Sequence, residues 1–278
     1  MNNSKYTSIM PTAIMTAYPK TLTDIPYSLE IFNHIKKING GEIKPAFTRD
    51  DLAPVIEARH KLTDKMVRHA NTSQILDIAS GFSPRGLSFS ALPNAVCVEI
   101  DLPEMAEMKK GTLNSFTKIP DNLHILGGNA LNYDDIAHAS DFFNPNKNVA
   151  IVAEGLLRYL DFNEKAMVAN NVRRVLEKFC GVWISCDFTL KQYLLSQNHN
   201  IKNHTNNIVS VTNNNLLNNS FEDIKHIVDF FANLGFDMEF HEFDEVMDEL
   251  VSPKQLDYSP DRLTALFRYA HVATMKLR

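Results

Sequence analysis

The sequence predicts a doubly wound α/β fold: a mostly parallel seven-stranded sheet with an antiparallel edge strand, preceded by an N-terminal helical cap. Three observations carry that prediction. Five short, almost wholly apolar segments recur between residues 74 and 188, which is how strands buried on both faces read. Stretches of helical length separate them, as parallel pairing requires a crossover between strands. Two further strand-like runs, FDMEFHEF and FRYAHVATMKL, are joined by a connection too irregular for a standard crossover helix, which points to an antiparallel end.

Taken in order, the first seventy residues read as helical. The segment from Pro26 to Ile38 sets Ile31, Phe32 and Ile35 on one side, with Glu30, Lys36 and Lys37 elsewhere, and stops at Gly40-Gly41. Asp50 offers an N-cap and Pro54 an early helical position for a second helix reaching about His69. QILDIAS is the first strand; it ends in small residues and leads through Gly81 to a helix from about Arg85. AVCVEID is the second, with a helix from near Pro103 to about Lys118. NLHILGGN is the third, with a helix from Tyr133 to Phe143, and NVAIVAE the fourth, with a helix from Asn163 to Phe179. GVWISCDF is the fifth, which completes a Rossmann-like succession. Residues 196–219 are dominated by asparagine and have two readings, a tolerated polar loop or a mobile lid over a substrate site. A helix from Phe221 to Leu234 follows, with Gly235 as its C′ residue. With no internal repeat and no second core, residues 1–278 read as one domain: a cap over 1–70, a nucleotide-binding half over 71–189, and a lid and C-terminal strands over 190–278.

An apolar content of 44% is ample for a continuous core. A net charge of −5 with scattered Lys and Arg argues against nucleic acid and against a charged membrane surface. There is no apolar stretch long enough for a membrane span, and MNNSKYTSIM lacks the apolar core of a secretory signal. Three cysteines without CxxC spacing fit a reducing cytoplasm. No metal constellation is visible; Asp134-Asp135 read as helix N-terminal charges.

The residues at the strand ends suit a nucleotide. Asp77, Ser80, Gly81 and Phe82 lie at the exit of the first strand, where small residues let a ligand approach the backbone. The full GxGxxG fingerprint is absent. Glu99 and Asp101 end the second strand, about twenty residues on, and one of them is placed to accept ribose hydroxyls; Leu102 follows. Asn129 and Ala130 follow the third strand, where the Asn129 amide could meet an adenine amino group. After the fourth strand comes Glu154-Gly155; a charge directly after a dry central strand demands a partner.

The segments PTAIMTAYPKTLTDIPYS, IEARHKLTDKMV, ILDIASGFSPRG, VEIDLPEM, GGNALNYDDI and VAEGLLRYLDF together resemble the leucine carboxyl methyltransferase family, in particular its bacterial branch similar to tetracenomycin-type polyketide O-methyltransferases. The resemblance covers residues 8 to 190 and implies S-adenosylmethionine as methyl donor. It further implies that Arg59 pairs with the donor's carboxylate, that Gly81 lies under its methionine part, and that Asp101 binds its ribose. Glu154 matches the acid after the fourth strand, Tyr159 a site tyrosine, and Lys20 and Tyr18 a segment that closes over the donor. Asn129 stands where the family often has Asp. A carboxylate acceptor needs no general base, only cations or hydroxyls to hold it, for which Arg158, Tyr159 and Lys20 are candidates. A phenol would need a base, and no histidine is assignable to that role; His60 and His69 read as helix surface. The competing readings are a nicotinamide-dependent oxidoreductase and a non-catalytic S-adenosylmethionine-binding protein.

Overall fold

The computed structural model describes residues 10–43, 48–196 and 216–278, so most of the asparagine-rich stretch, and with it the choice between lid and loop, lies outside the described residues. Seven strands form one sheet: β1 (Gln74–Ile78), β2 (Val96–Asp101), β3 (Leu123–Gly127), β4 (Val149–Ala153), β5 (Gly181–Ser185), β6 (Phe236–Glu242) and β7 (His271–Leu277). Their order is β3-β2-β1-β4-β5-β7-β6. The first five pair in parallel, whereas β7 runs antiparallel to both β5 and β6. The antiparallel end is therefore made by a reversed strand one place in from the edge, with β6 outermost.

Alternation along the strands divides the core into two layers. Ile75, Cys97, Ile125, Val152 and Ile184 face the side covered by α2 (Ser28–Ile38), α3 (Ala53–His69), α4 (Arg85–Ser90) and α5 (Pro103–Asn114). Leu76, Val98, Ile151, Trp183 and Met275 face the other side, covered by α6 (Tyr133–Ser140) and α7 (Phe162–Phe179). β1 and β4 are buried at every residue, the mark of central parallel strands.

The cap begins with α1 (Met10–Lys20), which packs on α2 and α3. α2 buries Ile31, Phe32 and Ile35, as its periodicity requires. Asp50 does not cap α3. It opens a 3-10 turn, Asp50–Leu52, and its carboxylate accepts the Tyr18 hydroxyl at 2.6 Å, so α3 starts at Ala53 with Pro54 in its first turn. α5 and α6 are shorter than their sequence patterns suggest, ending at Asn114 and Ser140. α7 opens with a capping box, Asp161 accepting from the Glu164 N–H and Glu164 accepting from the Asp161 N–H. That fixes where the segment after β4 must end. Among the described residues no helix is long and apolar enough to cross a membrane.

Candidate active site

A pocket lies beyond the carboxyl ends of β1 to β4, roofed by Thr12, Ala13, Thr16 and Lys20 of α1 and walled by Arg59 of α3. This is where an open α/β sheet reverses strand order and holds its ligand.

The turns after β1, β2 and β3 are held by their own hydrogen bonds. Beyond β1 the backbone is left-handed at Ala79 (φ 57°) and Gly81 (φ 49°), and Gly81 N–H donates to Asp101 Oδ2 at 2.7 Å. Left-handed backbone is costly for a residue with a Cβ, so Ala79 marks local strain of the kind found at binding sites. Asp101 Oδ1 accepts the Leu102 N–H at 2.7 Å, so one carboxylate ties two strand ends together. Burial raises the Asp101 carboxyl, and the Gly81 and Leu102 N–H groups act against that shift. After β3, Asn129 Oδ1 accepts the Leu131 N–H at 3.0 Å, and the Asn129 N–H donates to Asp135 Oδ2 at 2.8 Å.

Beside β4 the site is built from buried ions. Glu154 accepts from Arg59 Nε at 2.9 Å and from Arg85 Nη2 at 2.7 Å. Arg85, with no solvent exposure, also donates through Nε to Asp64 at 2.6 Å and through Nη1 to Asp77 at 3.2 Å. Its Nη2 meets His60 Nδ1 at 3.3 Å. Burial alone would raise the Glu154 carboxyl, but Arg59, Arg85 and Lys20 hold it well below the usual carboxylate range. Burial raises the Asp77 carboxyl, with Arg85 and Lys109 opposing.

Lys20 is 5% exposed, and burial lowers its ammonium to about 8 although Glu154 opposes the shift. Among the described residues its Nζ makes no hydrogen bond or ion pair. Arg158 also lines the pocket, and its buried Nε has no hydrogen-bond partner among the described residues. Its guanidinium lies 5.8 Å from the ring centre of the buried Tyr159.

Asp77, Ser80, Gly81, Phe82, Asp101, Leu102, Asn129, Ala130, Glu154 and Gly155 all line this pocket, as do Lys20, Arg59, Arg158 and Tyr159. Glu99 does not. It sits two residues, roughly 7 Å, back from the end of β2, beside Asp77 in the β1–β2 register. Its carboxylate pairs with the buried Lys109 at 2.7 Å and accepts the Gly86 N–H at 3.1 Å. Lys109 in turn donates to Ser80 Oγ at 3.1 Å, so Glu99 supports the turn from behind. A second departure is His60, expected on the helix surface but 3% exposed. Burial lowers it to about 3, so the imidazole is neutral, accepts from Arg85 at Nδ1, and turns Nε2 to Asp64 at 3.5 Å. Arg85, Asp64 and Lys109 were not singled out by sequence reasoning. The available signal was an arginine following the glycine turn of a dry strand. Among the described residues no cluster of His, Cys, Asp and Glu is arranged to hold a metal.

The donor set fits S-adenosylmethionine. An unpaired buried ammonium suits a carboxylate, a carboxylate at the β2 end suits a ribose diol, and the left-handed turn at Gly81 leaves backbone bare of side chains. A sheet of this order with a reversed β7, carrying such a pocket at its switch point, defines a class I S-adenosylmethionine-dependent methyltransferase fold. The chain belongs to the leucine carboxyl methyltransferase family, whose profile matches residues 28–173.

Solved structures agree on the fold. PigF with SAH is 12% identical over 96% of this chain and 62% of its own, with a TM-score of 0.50. The methyltransferase domain of bacterial CtHen1-CN is 13% identical over 80% of this chain and 98% of its own, with a TM-score of 0.51. The chain thus spans under two thirds of PigF. No curated protein sequence matches it.

Proposed function

We propose that the protein is an O-methyltransferase that uses S-adenosylmethionine on a small-molecule carboxylate of aromatic or polyketide-like character, with residues 1–278 acting as one methyltransferase domain. The observation that carries this reading is a pair of cations, Lys20 and Arg158, that line one pocket without a protein anion bonded to either among the described residues. Burying such charge is costly unless it is neutralised on binding. Lys20, with Arg59 beside it, would take the donor's carboxylate, and Glu154 fixes Arg59 for that contact. Asp77, Ser80, Gly81, Phe82 and Gly155 would enclose the methionine part, Asp101 and Leu102 the ribose, and Asn129 and Ala130 the adenine.

When bound, S-adenosylmethionine supplies a sulfonium methyl group for in-line displacement by an acceptor oxygen. Arg158 and Tyr159 are then left to orient the acceptor, and a guanidinium fork beside a buried ring suits a planar carboxylate. A carboxylate is already a nucleophile at neutral pH, and His60, which meets the pocket-lining Arg85, is neutral and engaged on both nitrogens. That supports a carboxyl over a phenolic acceptor.

The test is calorimetric titration with S-adenosylhomocysteine, with NADH in parallel, followed by a methylation screen that begins with aromatic carboxylic acids. Saturable binding of S-adenosylhomocysteine alone and methyl ester formation are expected. Binding of NADH alone would sink the proposal, and cofactor binding with methylation confined to phenols would remove its carboxylate half.

A further inference from the structure

Resting on that reading, the segment after β4 reveals two residues that shape the pocket without touching it. Residues 154–160 leave the sheet at Glu154, turn through a left-handed Gly155 (φ 82°), form a 3-10 turn at Leu157–Tyr159, and reach α7. Every one of them except Leu157 lines the pocket, and Leu157 is buried in the core below. This single strip therefore carries the anion that holds Arg59 and the cation and ring assigned to the acceptor.

A strip this short cannot fix itself. Its leading N–H groups have no helical partners, and its last carbonyl has none either. Asp187, two residues past β5 and 4% exposed, meets the first need. Its Oδ1 accepts the Gly155 N–H at 2.9 Å, and its Oδ2 accepts from Leu156 at 2.6 Å and Leu157 at 3.1 Å. Lys165, on α7 and fully buried, meets the second: its Nζ donates to the Leu160 carbonyl. The same Nζ donates to the Asn219 carbonyl at 2.8 Å and lies over the Phe162 and Phe221 rings. A carboxylate on the N–H end and an ammonium on the C=O end also match the polarity of the turn between them.

We propose that Asp187 and Lys165 are positioning residues that clamp residues 154–160 from both ends, and so set where Glu154 and Arg158 stand toward donor and acceptor. Lys165 extends the clamp to the segment at Asn219, which is thereby held in register with the pocket wall. Both side chains are spent on backbone groups, so they act through the strip and contact neither ligand.

The test is a double-mutant cycle read by S-adenosylhomocysteine calorimetry on the full-length protein, with thermal unfolding in parallel. Asp187→Asn keeps the shape but points an amide N–H at backbone N–H groups. It is expected to weaken S-adenosylhomocysteine binding roughly tenfold. In a Glu154→Gln background the same change is expected to cost less than about twofold, because the residue it positions no longer carries the charge. Equal losses in both backgrounds, or unchanged affinity with a lowered Tm, would show Asp187 to be a structural strut and overturn the proposal. If Asp187→Asn does not fold, Lys165→Met in the same cycle decides the question by the same two outcomes. Failure of the unaltered protein to bind S-adenosylhomocysteine would instead overturn the functional reading, and this inference with it.

Discussion

The two halves of the pocket are made by different physics. At the ends of β1, β2 and β3 the wall is mostly backbone, held by bonds such as Gly81 to Asp101 and Asn129 to Leu131, with the buried pair of Glu99 and Lys109 behind it. At the end of β4 the wall is charge, held by buried ion pairs that join the cap to the sheet through Arg59, Arg85 and Glu154. The first half sets the carboxylates of Asp77 and Asp101 in fixed places along bonded backbone turns, and its cost is local strain at Ala79. The second half has paid desolvation for each ion and recovers it only while all partners are present. A single change is therefore expected to cost more in the second half than in the first.

Four measurements test that contrast. The largest effect is expected at Arg85, whose replacement by Met leaves Asp64, Asp77 and Glu154 without their shared cation. A loss of about 3–5 kcal/mol in denaturant unfolding is expected, and a loss near zero would mean that water or rearrangement solvates the carboxylates. Asp101→Ala removes both the tie to Gly81 and the proposed ribose contact, and should weaken S-adenosylhomocysteine binding by about 1–3 kcal/mol. Unchanged affinity would take Asp101 out of the binding site.

The third is a pH series. Lys20 sits at about 8 in the folded protein against 10.5 when free, so the unfolded chain holds more protons between those values. Stability should therefore rise with pH across that window, and Lys165, also lowered to about 8 by burial, contributes in the same direction. Binding should move the other way, because the proposed carboxylate contact needs charged Lys20. Affinity for S-adenosylhomocysteine is expected to fall roughly tenfold from pH 7 to pH 9, and Lys20→Met should flatten that slope. A slope that survives the substitution would assign the dependence to another group. The smallest effect is expected at Asn129→Ala, which removes one neutral side-chain bond to Leu131 and should cost about 1 kcal/mol of binding or stability.

The same division decides what was legible in the sequence. The strands, their order of appearance and the glycine turn are local patterns, and the apolar runs at residues 74–78 and 149–153 mark the sheet's centre. Asp101, Asn129 and Glu154 were legible because each stands at a strand end where a polar residue breaks an apolar run. His60 was not. α3 buries Glu57, His60 and Asp64 together with Ala58 and Leu62, so its polar positions do not mark its solvent face. What makes that burial tolerable is Arg85 on Asp64 and the Val251 and Ser252 N–H groups on Glu57, and pairing across such distances in sequence leaves no periodic signature. Glu99 misled for a related reason: in an extended strand it shares a face with Asp101, and only the packing of Lys109 shows that it lies a step too deep.

The span of the Glu154 contacts bears on how the chain assembles. Arg59 and Arg85 precede it by 95 and 69 residues, so both must await β4 before their charges are matched. Closing loops of that length costs entropy, so these two ion pairs are expected to form after contacts nearer in sequence. A nascent chain that has released only its first hundred residues holds Asp64, Asp77 and Arg85 with no Glu154 to complete them. The charge network that walls the pocket is thus complete only once β4 has been made.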